Sequence, residues 1–304
     1  MFGLEYFSFS DLWSPVLMVS AMAIGVLYTF VVGPWRTHFK HSEAVPIRRQ
    51  IAFLFGILML YLAQGGPLSL LSHLMFTFHM VSMAVSYYLV PTLLLYGIPS
   101  WFWRWIFDRP FWRWFRWLMN PVFNLFLFNL LFSFYHIPNV HDWIMVHITI
   151  HGWFYVVLFI AAMMNWWHVH TPVQEWARVK PLPRMGYIFA NGLLLTPACV
   201  LIIFAASSKF AIYSDPVVWA EAMRYCVSGN PAELLRQFQG GPAFFNVMTP
   251  LEDQQLGGIT MKFLQEFMNI GALTVVFVKW YRQERERDRE DLEHPGLDDA
   301  TGTA

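Results

Sequence analysis

Charge is what this chain has least of. Only 13% of its 304 residues are Asp, Glu, Lys or Arg, against about 25% in a soluble domain, while 57% are hydrophobic and 18% aromatic. That balance excludes a water-exposed globular surface and points to an all-α, polytopic membrane bundle. Formal net charge is zero, so no nucleic-acid partner is expected. Two cysteines, Cys199 and Cys226, are too few for a disulfide framework and form no C-x-x-C pair. No basic residue precedes Arg36, so the charged start of a cleavable signal is missing. There is no phosphate-binding glycine loop, no H-E-x-x-H and no G-x-S-x-G, and an independent enzymatic activity is not expected.

What is present is a series of apolar runs. Seven approach the length needed to cross a core of about 30 Å: residues 14–33, 49–64, 72–96, 118–135, 144–166, 185–206 and 250–281. They predict seven transmembrane helices, with residues 1–281 as one membrane domain and 282–304 as a charged cytoplasmic tail, frayed and then disordered. Gly65-Gly66-Pro67 reads as the turn between spans 2 and 3. Basic residues alternate between connections. Arg36, Lys40, Arg48 and Arg49 follow span 1, and Arg104, Arg109, Arg113 and Arg116 follow span 3. Arg178, Lys180 and Arg184 follow span 5, and Arg282, Arg285, Arg287 and Arg289 follow span 7. The short connections after spans 2 and 4 have none. This predicts an outside N-terminus and a cytoplasmic C-terminus. The long connection 207–249 then lies outside. The Trp- and Arg-rich stretch 101–117 reads as an interfacial lipid anchor, with docking to a partner's transmembrane subunit as the alternative.

Six of the eleven histidines fall in or beside these runs: His73, His79, His136, His141, His147 and His151. An ionisable side chain in a membrane run marks a functional site by default, and imidazole is a common metal ligand. The predicted topology puts all six at one depth, in the outer third of the bundle. His79 lies six residues inward of His73, about 9 Å along a helix and off its face. His147 and His151 share a face at i and i+4. The expected core is His79, His136 and His151, with His73 and His147 at its rim and His141 outside it in a solvated loop. His38, His41, His168, His170 and His294 are expected on the cytoplasmic side, the His168/His170 pair at the surface.

Span 7 opens with Thr249-Pro250-Leu251-Glu252, a capping pattern. Asp253, Gly257 and Met261 follow on one face, with Gln254 and Gly258 beside them, and the paired glycines permit close helix approach. Asp253 and Met261 are candidate neighbours of the histidines, Asp253 as an acceptor for a ligand imidazole, with Gln254 and Cys199 as further candidates. Histidine, methionine and cysteine together suit copper, especially cuprous, better than magnesium or calcium.

Four stretches carry a family resemblance: Leu12-Trp13-Ser14-Pro15, Phe132-Ser133-Phe134-Tyr135-His136, Gly186-Tyr187-Ile188-Phe189-Ala190-Asn191-Gly192, and Leu251-Glu252-Asp253-Gln254-Gln255-Leu256-Gly257-Gly258. Across residues 1–285 the chain resembles the Bacillus-type CtaG family, assembly factors for caa-type cytochrome c oxidase. The resemblance implies a multi-pass protein of the bacterial cell membrane that matures the oxidase and delivers copper to its catalytic subunit. It carries over to His73, His79, His136, His151 and Asp253 with its following glutamines; the His168/His170 pair inherits nothing.

Two other classes compete. A haem or electron-transfer protein would use His79 and His151 as axial ligands. A retinal protein would use Lys262 in span 7, but span 3 offers no carboxylate counter-ion and Lys262 can snorkel to the outer interface. An ion carrier is disfavoured because the helix interiors show no chain of carboxylates.

Overall fold

A computed structural model of the chain describes residues 3–113, 118–223, 226–227, 230–246 and 248–293, and every regular element among them is helical. In chain order the α-helices are α1 (Phe9–Val32), α2 (Ile47–Gln64), α3 (Pro67–Leu74), α4 (Phe76–Gly97), α5 (Ser100–Phe107), α6 (Pro121–Tyr135), α7 (Pro138–Met145), α8 (Ile148–His170), α9 (Pro181–Ile203), α10 (Pro216–Met223), α11 (Pro231–Gln237) and α12 (Pro250–Glu293). Six units are long and apolar enough to span a bilayer: α1, α2 with α3, α4, α8, α9 and α12. The α6/α7 pair, bent by 79°, is a seventh if counted as one span. Large apolar side chains stand exposed around the bundle, Val16 at 80%, Leu201 at 76% and Phe267 at 67% among them. Only lipid can cover such a girdle, so the chain is a multi-pass membrane protein.

Local sequence explains the breaks. The Gly65-Gly66 step separates α2 from α3 without reversing the chain; a Cβ on Gly66 would lie 2.9 Å from the Leu62 backbone. The reversal falls instead at Met75, which is extended at φ −140° and ψ 132°. His73 and His79 therefore sit on different helices, where the sequence had placed both on span 3. Within α4, residues Val85–Leu89 form a π-turn. Pro91 is its cause: it has no N–H to give the Tyr87 carbonyl and its ring crowds that oxygen. The indole N–H of Trp166 takes the freed carbonyl at 3.1 Å. At the far end α12 continues through the charged stretch to Glu293, where a frayed end was expected from residue 282. Residues 294–304, with His294, lie outside the described residues, as do Trp114 to Trp117 of the aromatic stretch.

Span 7 starts as its sequence dictates. Thr249 Oγ1 accepts from the Glu252 amide at 3.3 Å, and Glu252 Oε2 accepts from the Thr249 amide at 2.8 Å. Gly257 and Gly258 then bring α12 against its neighbours: a Cβ would meet Phe76 Cδ1 at 2.6 Å in the first case and Ile203 Cγ1 at 2.8 Å in the second. α12 accordingly packs most extensively on α9 and on the first part of α4.

The connection 207–249 is more than a loop. Trp219, Ala220 and Met223 of α10, Leu234 of α11, and Phe238 and Phe245 form a separate core with Leu70, Leu71 and Leu74 of α3. This lid sits over the end of the bundle that holds the histidines.

Candidate metal centre

The chain break at Met75 leaves the first amides of α4 without helical partners. Asp253 takes them: Oδ2 accepts from the Phe76 amide at 2.7 Å, and Oδ1 from the Thr77 amide at 3.1 Å and the Thr77 hydroxyl at 2.7 Å. The carboxylate is buried. It serves as a cap supplied by another helix, which fixes the start of α4 and with it His79, and its oxygens are engaged there, not on an imidazole. Gln254 likewise holds backbone, accepting from the Lys209 amide at 2.7 Å and donating to the Ile202 carbonyl at 3.1 Å.

Around His79 the structure gathers two further imidazoles. Its ring centroid lies 5.1 Å from His141 and 5.8 Å from His136, and Tyr135 lies 5.7 Å away on the same side. His141 is fully buried at the centre of this group. The sequence had left it outside, because it falls between the apolar runs 118–135 and 144–166; instead α7 folds back at the end of α6 and carries His141 inward. Phe210 and Tyr213 of the lid close over it, with centroids 5.0 and 5.9 Å from His141. A second pair sits alongside: His73 and His151 are 6.2 Å apart, and Tyr155 stacks edge-on to His151 at 4.2 Å. The phenols of Tyr135 and Tyr155, 3.0 Å apart, join the two halves.

Hydrogen bonding sets which ring nitrogens are available. A carbonyl can only accept, so His136 Nδ1 donates to Phe132 O at 2.7 Å and His73 Nδ1 to Ser69 O at 2.9 Å. His141 Nδ1 faces Asp142 Oδ1 at 3.2 Å, and the same carboxylate accepts from the Ala211 amide at 2.7 Å, tying ring and lid together. In His136 and His141 these contacts leave the Nε2 lone pair free. Nε2 of His79, His136, His141 and His151 is buried and has no hydrogen-bond partner. Each such atom costs about 1–3 kcal/mol relative to a satisfied one. The thiol of Cys226 lies beside the His73 ring, so the lid also contributes a sulfur. Burial pushes the Tyr213 phenol well above its usual range, and it donates to Ser72 O at 2.7 Å. Among the described residues no three or more His, Cys, Asp or Glu groups converge closely enough to hold a metal ion as they stand.

Other predicted residues lie elsewhere. His147 is exposed, its Nδ1 donating to Trp143 O at 2.6 Å. Met261 fills the bundle core deeper along α12. Cys199 is buried beside Tyr88 and near Lys262 and Glu266, not among the histidines. Lys262 does not snorkel outward: its ammonium donates to Thr196 Oγ1 at 2.7 Å and Glu266 Oε1 at 2.5 Å. It is one end of a polar ladder through the bundle. Asn191 Oδ1 accepts from Asn129 at 2.9 Å and Asn165 at 3.2 Å, Tyr187 donates to Asn165 Oδ1 at 2.7 Å, and Gln265 donates to the Gly192 carbonyl at 3.2 Å. His168 is buried too, with Nε2 at 2.9 Å from Asn124 Nδ2, so it is not the surface residue its sequence suggested.

A buried, lid-covered imidazole cluster on a membrane bundle is the setting in which the sequence comparison has to be read. The family model described as cytochrome c oxidase caa3 assembly factor matches residues 26–283. The chain belongs to that family. The matched span contains every histidine of the cluster, Asp253 and the lid. No curated protein and no solved structure matches the chain. An assembly factor must meet the oxidase it assembles, and this one does so as a membrane-embedded helical protein.

Proposed function

We propose that this assembly factor takes copper as cargo at the histidine cluster and hands it to the catalytic subunit of the oxidase. One observation carries the reading: four imidazole Nε2 atoms, on α4, α8 and the α6/α7 bend, are buried within one cluster with no partner. Lone pairs kept from water and from protein donors are what a borderline-soft cation such as copper needs. His79, His136 and His141 would provide the first contacts, and His73, His151 and Cys226 a second position one step away. Ring rotation would draw neighbouring nitrogens onto the ion. A site that closes only on its cargo suits transfer, because it also reopens.

The alternation of basic connections favours a histidine end on the outer face of a bacterial plasma membrane, where copper would arrive and the lid would be the part to move. Asp253 and Asp142 act as positioning residues, one through the start of α4 and the other through the His141 ring. The chain is a carrier in this reading, not an enzyme. Close packing favours a bare ion over haem: Phe76, Tyr135, His136 and His141 surround the His79 ring at centroid distances of 5.1 to 5.8 Å.

The test is metal content after purification in copper-supplemented medium, comparing wild type with the His79→Leu/His141→Leu double variant. Copper near one equivalent in wild type and at least tenfold less in the variant is expected. Equal copper in both would remove the assignment.

A further inference from the structure

The opposite end of the bundle holds a second site. His151 and His170 bound the same helix, α8, nineteen residues and about 28 Å apart at the α-helical rise. Beside His170, between α12 and the α8–α9 connection, lies a cavity of about 860 Å³. Its mouth carries Arg178, Lys180, Arg184 and Lys279, and no Asp or Glu lines it. The nearby Glu175 is engaged at 2.9 Å by Arg104. Arg184 spends one terminal nitrogen on the Val179 carbonyl at 2.8 Å, while its Nε is buried with no partner. His170 Nε2 is buried and unpartnered as well. Lys180, Arg184 and Lys279 and two unused polar atoms converge on a cavity that no Asp or Glu lines among the described residues.

The rest of the wall is apolar and opens sideways. Phe267, Ile270 and Val275 of α12 line the cavity yet remain 67%, 61% and 53% exposed. At Gly271, between them, an added Cβ would meet nothing within 4 Å, so the helix carries a notch there. A cavity with a cationic mouth and an apolar flank open to the bilayer has the polarity of a phospholipid. Its volume lies within the roughly 300–1,000 Å³ typical of ligand sites. Basic clefts between transmembrane helices are a general means of gripping anionic headgroups.

We propose that this cleft binds one anionic phospholipid. Its phosphate is held by Lys180, Arg184 and Lys279, and an acyl chain lies along the Phe267–Val275 face of α12. A free phosphate would satisfy the cations but leave that face uncovered. The site is independent of the copper reading, since no residue is shared.

The experiment uses the full chain in mild detergent, with native mass spectrometry and thermal unfolding as readouts. Dioleoylphosphatidylglycerol, dioleoylphosphatidylcholine and inorganic phosphate are the three probes. Wild type is expected to retain about one phosphatidylglycerol and to prefer it over phosphatidylcholine by on the order of tenfold. Lys180→Gln/Lys279→Gln should lose that preference. Gly271→Leu, which fills the notch with a better helix former and leaves every charge in place, should lose the bound lipid while remaining folded. Equal retention of the two lipids by wild type, stabilisation by inorganic phosphate alone to the same extent, or undiminished lipid on Gly271→Leu would each overturn the proposal.

Discussion

Two polar regions are buried in this bundle, and they are treated in opposite ways. In the Asn191 ladder each amide finds at least one partner on another helix, and Lys262 is surrounded by acceptors. At the histidine end His136 and His141 are oriented through Nδ1 by a carbonyl and a carboxylate, and Nε2 of these two and of His79 and His151 is left without a partner. In hydrocarbon, a satisfied polar group holds helices together, whereas an unsatisfied one persists only if something other than folding keeps it there. Both regions contain polar side chains in apolar runs, so burial does not separate them. Hydrogen-bond satisfaction does so in degree: Asn129 Oδ1 and Asn269 Nδ2 of the ladder also lack a partner, but each of those amides is bonded through its other atom to Asn191, while four imidazole Nε2 atoms stand together unpartnered. The first region reads as structure and the second as a place where a ligand is received.

That contrast can be broken by substitution. The largest effect is expected for His79→Leu/His141→Leu, which should abolish copper retention yet move the unfolding midpoint little, because an apolar group of similar size replaces an unsatisfied one. A large loss of stability would put the histidines in the structural class. Next comes Asp253→Ala. It strips two buried amides and a hydroxyl of their acceptor and should cost about 3 kcal/mol or more, read as a lowered melting temperature in detergent, with copper lost because His79 is no longer fixed. Asn191→Leu should cost about 1–2 kcal/mol and leave copper content unchanged; loss of copper at normal stability would join the two regions that we separate. The smallest effect belongs to Asp142→Asn, which keeps a weaker acceptor for His141 and the Ala211 amide. It should lower copper affinity by roughly tenfold, within the range for residues that orient a ligand, as measured by chelator competition on folded protein.

Much of this was legible in the residues. The apolar runs located the spans, and the Thr249–Glu252 cap and the Gly257-Gly258 approach appear as their sequences dictate. The depth argument brought His73, His79, His136 and His151 to one end. Four things were hidden. The reversal at Met75 has no Gly or Pro to announce it, and it is held by Asp253 from a helix 177 residues away in sequence. His141 looked solvated because it falls between the apolar runs 118–135 and 144–166, and the lid amides that Asp142 caps account for its burial. The ladder escaped because single asparagines in long apolar runs carry no periodic signal; they acquire meaning only when α6, α8, α9 and α12 meet. Cys226 was missed for the same reason, since nothing local ties a lid residue to His73.

The central claim is that buried imidazoles, not sulfurs, receive the metal first. X-ray absorption at the copper edge of the loaded full-length protein tests it most directly. The account predicts a first shell dominated by nitrogen, with the outer-shell scattering of imidazole, and loss of that signature in His79→Leu/His141→Leu. A sulfur-dominated shell, or the same spectrum in the variant, would contradict it.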